Sequence, residues 1–196
     1  LLKTFSGNVV ANLGGDINLS QATAILPKQS CSGCDSEYYI FGMKQVGGKN
    51  QLFYSVFDIS GNGGLGSVVV PFSSASLATP ISSFGATDKL VITQAGKNEY
   101  WINAFEAGTK NIYRYKLDSL GLSKPNRYTI TYDVSFSSNS TLVFSPKNDR
   151  LAVANDSLGL SQILIMTVDT LTGNFDQRRI SRIQLGTLPA MIYGVA

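Results

Sequence analysis

Apolar and polar residues alternate with a period of two along most of the chain, and no window of helical length repeats every 3.6 residues. The alternation predicts short strands at Gly7–Ala11, Ala22–Leu26, Glu37–Phe41, Gln51–Ile59 and Ser67–Phe72. Turns separate them at Asn12–Asp16, Pro27–Lys28, Gly47–Asn50 and Gly61–Gly66, where glycine, proline and asparagine interrupt the apolar pattern. After a Ser/Ala/Gly-rich connector at Ser73–Thr87 the pattern restarts. It predicts strands at Lys89–Thr93, Glu99–Asn103, Asn111–Leu117 and Arg127–Tyr132. A third set follows at Thr141–Ser145, Arg150–Ala154, Ser161–Val168 and Phe175–Ile183, with a connector at Asn155–Leu160.

The three sets align on an aspartate that closes the third strand: Asp58, Asp118 and Asp169, spaced 60 and then 51 residues apart. Before each aspartate, alternate positions are mostly apolar: Phe53 and Phe57 around Ser55, then Tyr113, Tyr115 and Leu117, then Leu164, Met166 and Val168. The second strands align at Tyr38-Tyr-Ile40, Tyr100-Trp-Ile102 and Leu151-Ala-Val153. Four-stranded repeats at this spacing are the sequence mark of propeller blades. The expected fold is therefore all-β: a β-propeller segment of about three four-stranded antiparallel blades, part of a larger propeller. The blades cover about 22–72, 87–132 and 139–183, and 1–21 and 184–196 contribute to adjacent ones. A β-sandwich would also give many short strands, but it does not require the aligned strand–Asp–turn repeat.

The run Phe53-Tyr-Ser-Val-Phe-Asp-Ile-Ser-Gly-Asn-Gly-Gly-Leu-Gly-Ser-Val-Val69 resembles a pattern in large secreted surface proteins of Bacteroidetes, of the gliding-motility and type IX secretion type. It is preceded by Gln21–Lys28 and Tyr38–Phe41, as in that family. Phe144-Ser-Pro-Lys-Asn-Asp-Arg-Leu-Ala-Val-Ala154 is similar to the hairpin shared by WD40-like propellers generally. The resemblance spans roughly residues 20–183. It implies a secreted, non-catalytic propeller at the bacterial cell surface, an adhesin or surface-complex component whose further blades come from the same longer chain.

Composition changes the picture mainly by exclusion. The 196 residues are 43% hydrophobic and 15% charged with nineteen glycines, as in a turn-rich β chain. No apolar run approaches the 18 residues of a spanning helix. The first residues lack an initiator Met and a signal-peptide core, so the chain reads as processed or as a piece of something longer. Net charge is +3, spread thinly over clusters at Arg178, Arg179 and Arg182 and at Lys124 and Arg127. These read as charged strand edges, not as a nucleic-acid stripe. There is no histidine, which removes every His-containing triad and the usual neutral metal ligand.

Cys31 and Cys34 read as a disulfide closing a hairpin tip, which requires an oxidising compartment. Reduced thiols and redox or metal chemistry are the alternatives. Asp58, Ser60 and Asn62, with Gly63, match positions 1, 3, 5 and 6 of a calcium loop, but position 12 is Val69, not a bidentate carboxylate. An aspartate that caps backbone N–H groups of its own turn is the simpler reading. Trp101, Tyr100 and Tyr113 suit a strand core better than a sugar platform. Asp88, Glu99, Glu106, Asp133, Asp149 and Asp156 are not paired by sequence as glycosidase carboxylates would be. The expected function is a non-catalytic module that presents its loops to a protein or glycan. The alternative is an extracellular propeller enzyme acting on a polysaccharide. A viral or phage attachment protein would show similar strands.

Overall fold

The computed structural model describes residues 2–3, 9–11, 23–28, 36–69, 79–132, 135–137, 140–157 and 160–186. Cys31, Cys34, Asp133 and the Asn12–Asp16 turn lie outside them, as do the side chains of Asp156, Arg178 and Arg179. The protein is all-β, with antiparallel sheets, none of which closes on itself among the described residues. It divides into two compact units, Leu1–Gly85 and Ala86–Ala196.

In the first unit, β1 (Leu2–Lys3) pairs with β2 (Val9–Ala11). A meander then runs through β3 (Thr23–Pro27), β4 (Glu37–Val46), β5 (Lys49–Asp58) and β6 (Ser67–Val69). A short β7 (Thr79–Pro80) extends the β5 edge alongside β6. The β4–β5 hairpin closes on Gly47 and Gly48, both with positive φ (58° and 77°), as a two-residue turn matched to strand twist requires. Strand β4 is twice as long as the sequence pattern suggests, since pairing continues past Phe41 to Val46↔Lys49. The expected Gly61–Gly66 turn contains one turn of helix, Gly61–Gly64, with left-handed Asn62 and Gly63 inside it.

In the second unit, β8 (Ala86–Gly96), β9 (Glu99–Glu106) and β10 (Asn111–Asp118) form a second meander. Its far edge is shared by β11 (Gly121–Leu122) and β12 (Asn126–Thr129), both paired with β10. The third meander is β13 (Thr141–Phe144), β14 (Arg150–Ser157), β15 (Leu160–Val168) and β16 (Phe175–Gly186), in that order. The expected connector at Asn155–Leu160 is instead the end of a longer hairpin. Asn155 stays in strand because its buried amide is satisfied. Its Oδ1 accepts from Ser137 N–H (2.8 Å) and Ser140 Oγ–H (2.6 Å), and its Nδ2 donates to the Ser135 carbonyl (2.8 Å). Strand-breaking propensity yields to a completed set of hydrogen bonds.

The second and third meanders pack face to face. Phe105 and Ile112 of the second, with Ile130 and Phe136 beyond it, form one core with Leu142, Leu151, Val153, Leu164, Met166, Val168 and Phe175. Phe105 meets Phe136 edge-on at 4.8 Å. Each of these side chains, fully buried, contributes about 1.5–3 kcal/mol of burial free energy. Strand alternation decides which residues take part. In β10, Ile112 and Arg114 face the third meander, whereas Tyr115 and Leu117 are buried on the opposite face. In β15, Leu164, Met166 and Val168 face the second meander, and Ile163 and Ile165 face away.

Candidate functional site

Two features of the fold gather chemistry-bearing residues: the aspartate turns that repeat along the chain, and the joint between the second and third meanders.

The three aspartates repeat a local structure. Asp58 Oδ1 accepts from Ser60 N–H (2.9 Å) and Ser60 Oγ–H (2.7 Å). Asp118 Oδ1 accepts from Leu120 N–H (2.9 Å). Asp169 Oδ1 accepts from Leu171 N–H (2.9 Å) and Thr172 N–H (3.0 Å). Each carboxylate thus holds the backbone that reverses the chain after the third strand of its meander. Hydrogen bonds from Ser60 and then Ser36 hold the Asp58 carboxyl below its usual range. Backbone N–H groups of Thr172 and Leu171 do the same for Asp169.

Of the calcium-loop triple, Asp58 and Ser60 are therefore bonded to each other, and Asn62 sits in the left-handed helical turn. Among the described residues no group of three or more His, Cys, Asp or Glu is placed to share a metal ion. What these turns present outward is apolar. Leu120 is 96% exposed and Leu171 is 91% exposed, each two residues beyond its aspartate. Ile59 and Leu65 are exposed in the first meander's turn.

The other carboxylates singled out in the sequence are engaged locally. Glu106 accepts from Asn111 Nδ2 (2.7 Å), with Tyr113 OH and Thr109 Oγ1 each at 3.3 Å. Glu99 pairs with Lys116 at 3.0 Å, and Asp118 lies 3.6 Å from the same ammonium. Asp88 lies 3.5 Å from Lys89, and Asp149 accepts from Ser145 Oγ at 2.6 Å. Arg127 and Arg182 are exposed on edge strands β12 and β16.

The joint is where sequence reasoning missed residues. Arg114, in the middle of β10, is only 2% exposed. Its guanidinium carbon stands 4.5 Å from the centroid of the Trp101 ring and 5.5 Å from that of Phe175, and its Nη1 donates to the Gly173 carbonyl. Burial pushes the guanidinium down to about 10, with the Tyr128 hydroxyl as a smaller opposing influence. Trp101 is thus a buried stacking partner of a cation, not an exposed sugar platform.

Gly173 makes this arrangement possible. Its φ is +75°, and a Cβ there would lie 3.0 Å from Arg114 Cζ and 3.1 Å from the Trp101 ring. Tyr128 closes one side, its hydroxyl donating to Asn174 Oδ1 (2.8 Å) and its ring edge-on to Phe175 at 5.3 Å. Asn148 Nδ2 reaches the Gln94 carbonyl at 3.4 Å. The signal for Arg114 was a charged residue in mid-strand, between Tyr113 and Tyr115 and two residues after Ile112. The signal for Gly173 was the glycine that ends an aspartate turn. Neither carries its partner's number.

No protein-family profile and no curated protein matches the chain.

Proposed function

We propose that the chain is part of a β-propeller and serves as a non-catalytic interaction or structural module of a secreted bacterial cell-surface protein. The observation that carries this reading is directional stacking. The second meander packs the face bearing Trp101, Phe105, Ile112 and Arg114 onto the face of the third bearing Leu151, Val153, Leu164 and Met166. By the Asp118/Asp169 alignment, the third meander's equivalent of the first of these faces bears Ala152, Ala154, Ile163 and Ile165. These four positions are apolar, although Asp156 stands at the position equivalent to Phe105, and Ile183, directly across from Ile163, is 47% exposed. A repeat that packs its successor on one side, and carries an apolar face at the same place in the next copy, is suited to head-to-tail continuation.

The exposed Leu120 and Leu171, held out by aspartate-capped turns, support loop-borne contact with a protein or glycan. The resemblance of Phe53–Val69 to surface proteins of the gliding-motility and type IX secretion type supports an extracellular setting, and further blades would come from the same longer polypeptide. The test is the structure of the intact polypeptide taken from the cell surface. The expected result is a fourth meander seated on Ala152, Ile163 and Ile165, with the Leu120 and Leu171 turns on an accessible rim. A helix or a second, orthogonal sheet on that face would overturn the propeller. Hydrolysis of a cell-wall or capsular polysaccharide by the purified protein would overturn the non-catalytic assignment.

A further inference from the structure

The face of the second meander that meets the third carries four buried polar atoms with no hydrogen-bond partner among the described residues: Thr93 Oγ1, Trp101 Nε1, Asn103 Oδ1 and Arg114 Nε. They belong together. Thr93 is directly across from Trp101, and Asn103 directly across from Arg114. Directly opposed side chains share a face, with Cβ atoms about 4.5–5.5 Å apart. The guanidinium lies over the indole, which brings the Arg114 and Trp101 donors to one locality.

The orientation of Asn103 is set by its other end. Nδ2 donates to the Val91 carbonyl (3.1 Å) and approaches the Trp101 carbonyl (3.5 Å), so Oδ1 is the atom left over. Reversing the amide would set its oxygen against two carbonyl oxygens.

Arg114 also lacks a counter-charge. Its contacts are the Gly173 carbonyl and two aromatic faces, and no carboxylate among the described residues pairs with it. Lys116, two residues along the same strand, has both Glu99 and Asp118. A buried cation keeps its charge at low cost only where every N–H has an acceptor. Two of the four orphans are obligate donors (Arg114 Nε–H and Trp101 Nε1–H), one is an obligate acceptor (Asn103 Oδ1), and the Thr93 hydroxyl is either. One water offers two lone pairs and two hydrogens, which matches that set. An anion would satisfy the two donors but stand against the negative end of the Asn103 carbonyl.

We propose that the second meander holds one internal water between Arg114 Nε, Trp101 Nε1, Asn103 Oδ1 and Thr93 Oγ1, sealed in by the third meander at Gly173. The water completes the solvation of Arg114 and makes this joint selective. It accepts a meander that brings a bare glycine carbonyl, and an apolar face alone does not satisfy it. The third meander has Ala152, Ala154 and Ile165 at the equivalent positions, so these three make no such demand.

Trp101 is the only tryptophan in the chain, so its indole N–H gives a single assignable resonance. Water-selective NOESY and ROESY spectra of the intact chain in chloride-free phosphate buffer should show a dipolar cross-peak from water to this proton, with the sign of a long-lived bound water. The peak should persist unchanged on titration with sodium chloride and then sodium bromide. Absence of a long-lived water peak would overturn the proposal. So would a saturable halide-dependent shift of the indole proton, which would identify an anion in its place. In Asn103→Leu the cross-peak should be lost while the dispersed amide spectrum persists; a retained peak in that variant would count against the four-atom site. Should Asn103→Leu fail to fold, the measurements on the unmodified chain decide alone.

Discussion

The second and third meanders share a backbone plan and differ in what one face asks of its neighbour. At positions 101, 103 and 114 the second meander carries Trp, Asn and Arg; at the aligned positions 152, 154 and 165 the third carries Ala, Ala and Ile. Both faces lie on strands of the same kind, paired in the same order. The repeat therefore determines where a face will be, while individual side chains determine how selective it is. An apolar face accepts any complementary apolar surface, because burial is non-directional. A face with a buried guanidinium accepts only a neighbour that supplies acceptors where the N–H groups point.

The largest expected effect separates the two faces of one strand. Leu164→Ala removes a fully buried side chain from the shared core and should cost about 3–4 kcal/mol in urea unfolding. Ile165→Ala, one residue on and facing away, should cost only about 1 kcal/mol. Equal losses would mean that the outer face is as fully packed as the inner one, and the contrast would fail.

Gly173→Ala probes the joint itself. The new methyl would meet Arg114 and Trp101 at about 3 Å on a backbone with positive φ, so a loss of about 2 kcal/mol is expected. Indole fluorescence should change with it, because the methyl displaces the stack above Trp101. A stability within a few tenths of a kcal/mol of the parent would show that the joint has slack there.

Tyr115→Phe concerns the opposite face of β10. The buried Tyr115 hydroxyl has no hydrogen-bond partner among the described residues, and burial pushes it up to about 12. Removing it should stabilise the protein by about 1 kcal/mol at neutral pH. The alkaline behaviour should change as well. Because the folded hydroxyl titrates above its usual 10.0, its contribution is complete below pH 10 and is lost as pH rises toward 12. Phenylalanine should abolish that part of the alkaline decline, and an unchanged alkaline profile would argue against a buried phenol.

The smallest effect belongs to the turns. Hydrogen bonds depress the Asp58 and Asp169 carboxyls, so their stabilisation is present above the ordinary carboxylate value of 3.8 and fades as pH falls below it. Asp169→Asn keeps an acceptor oxygen but removes the titration. Thermal unfolding should therefore become less sensitive to pH in the acid range with little change at pH 7. A marked loss at pH 7 would show that the negative charge itself matters at that turn.

Much of the strand order was legible because alternation and turn residues are local signals. Tyr113, Tyr115 and Leu117 were expected on one face, and Tyr115 and Leu117 are buried there. Asp58, Asp118 and Asp169 were expected to cap their own turns, and each does so through Oδ1. Strand ends were less legible. Strands β4, β8, β14 and β16 extend beyond the apolar runs because ladder pairing continues wherever a partner strand runs alongside, whatever the side chain.

Arg114 and Gly173 stand 59 residues apart and were not paired in advance. By itself the sequence determined the repeat, the turns and the alternation of faces, since these depend on residues within a few positions of each other and on steric rules shared by all chains. Only the tertiary structure decided that a cation in one meander would rest under a glycine of the next. Nothing in local propensity encodes which strand will arrive opposite a given side chain. That choice is made by packing, where shape and unpaired hydrogen-bonding groups select among many apolar partners.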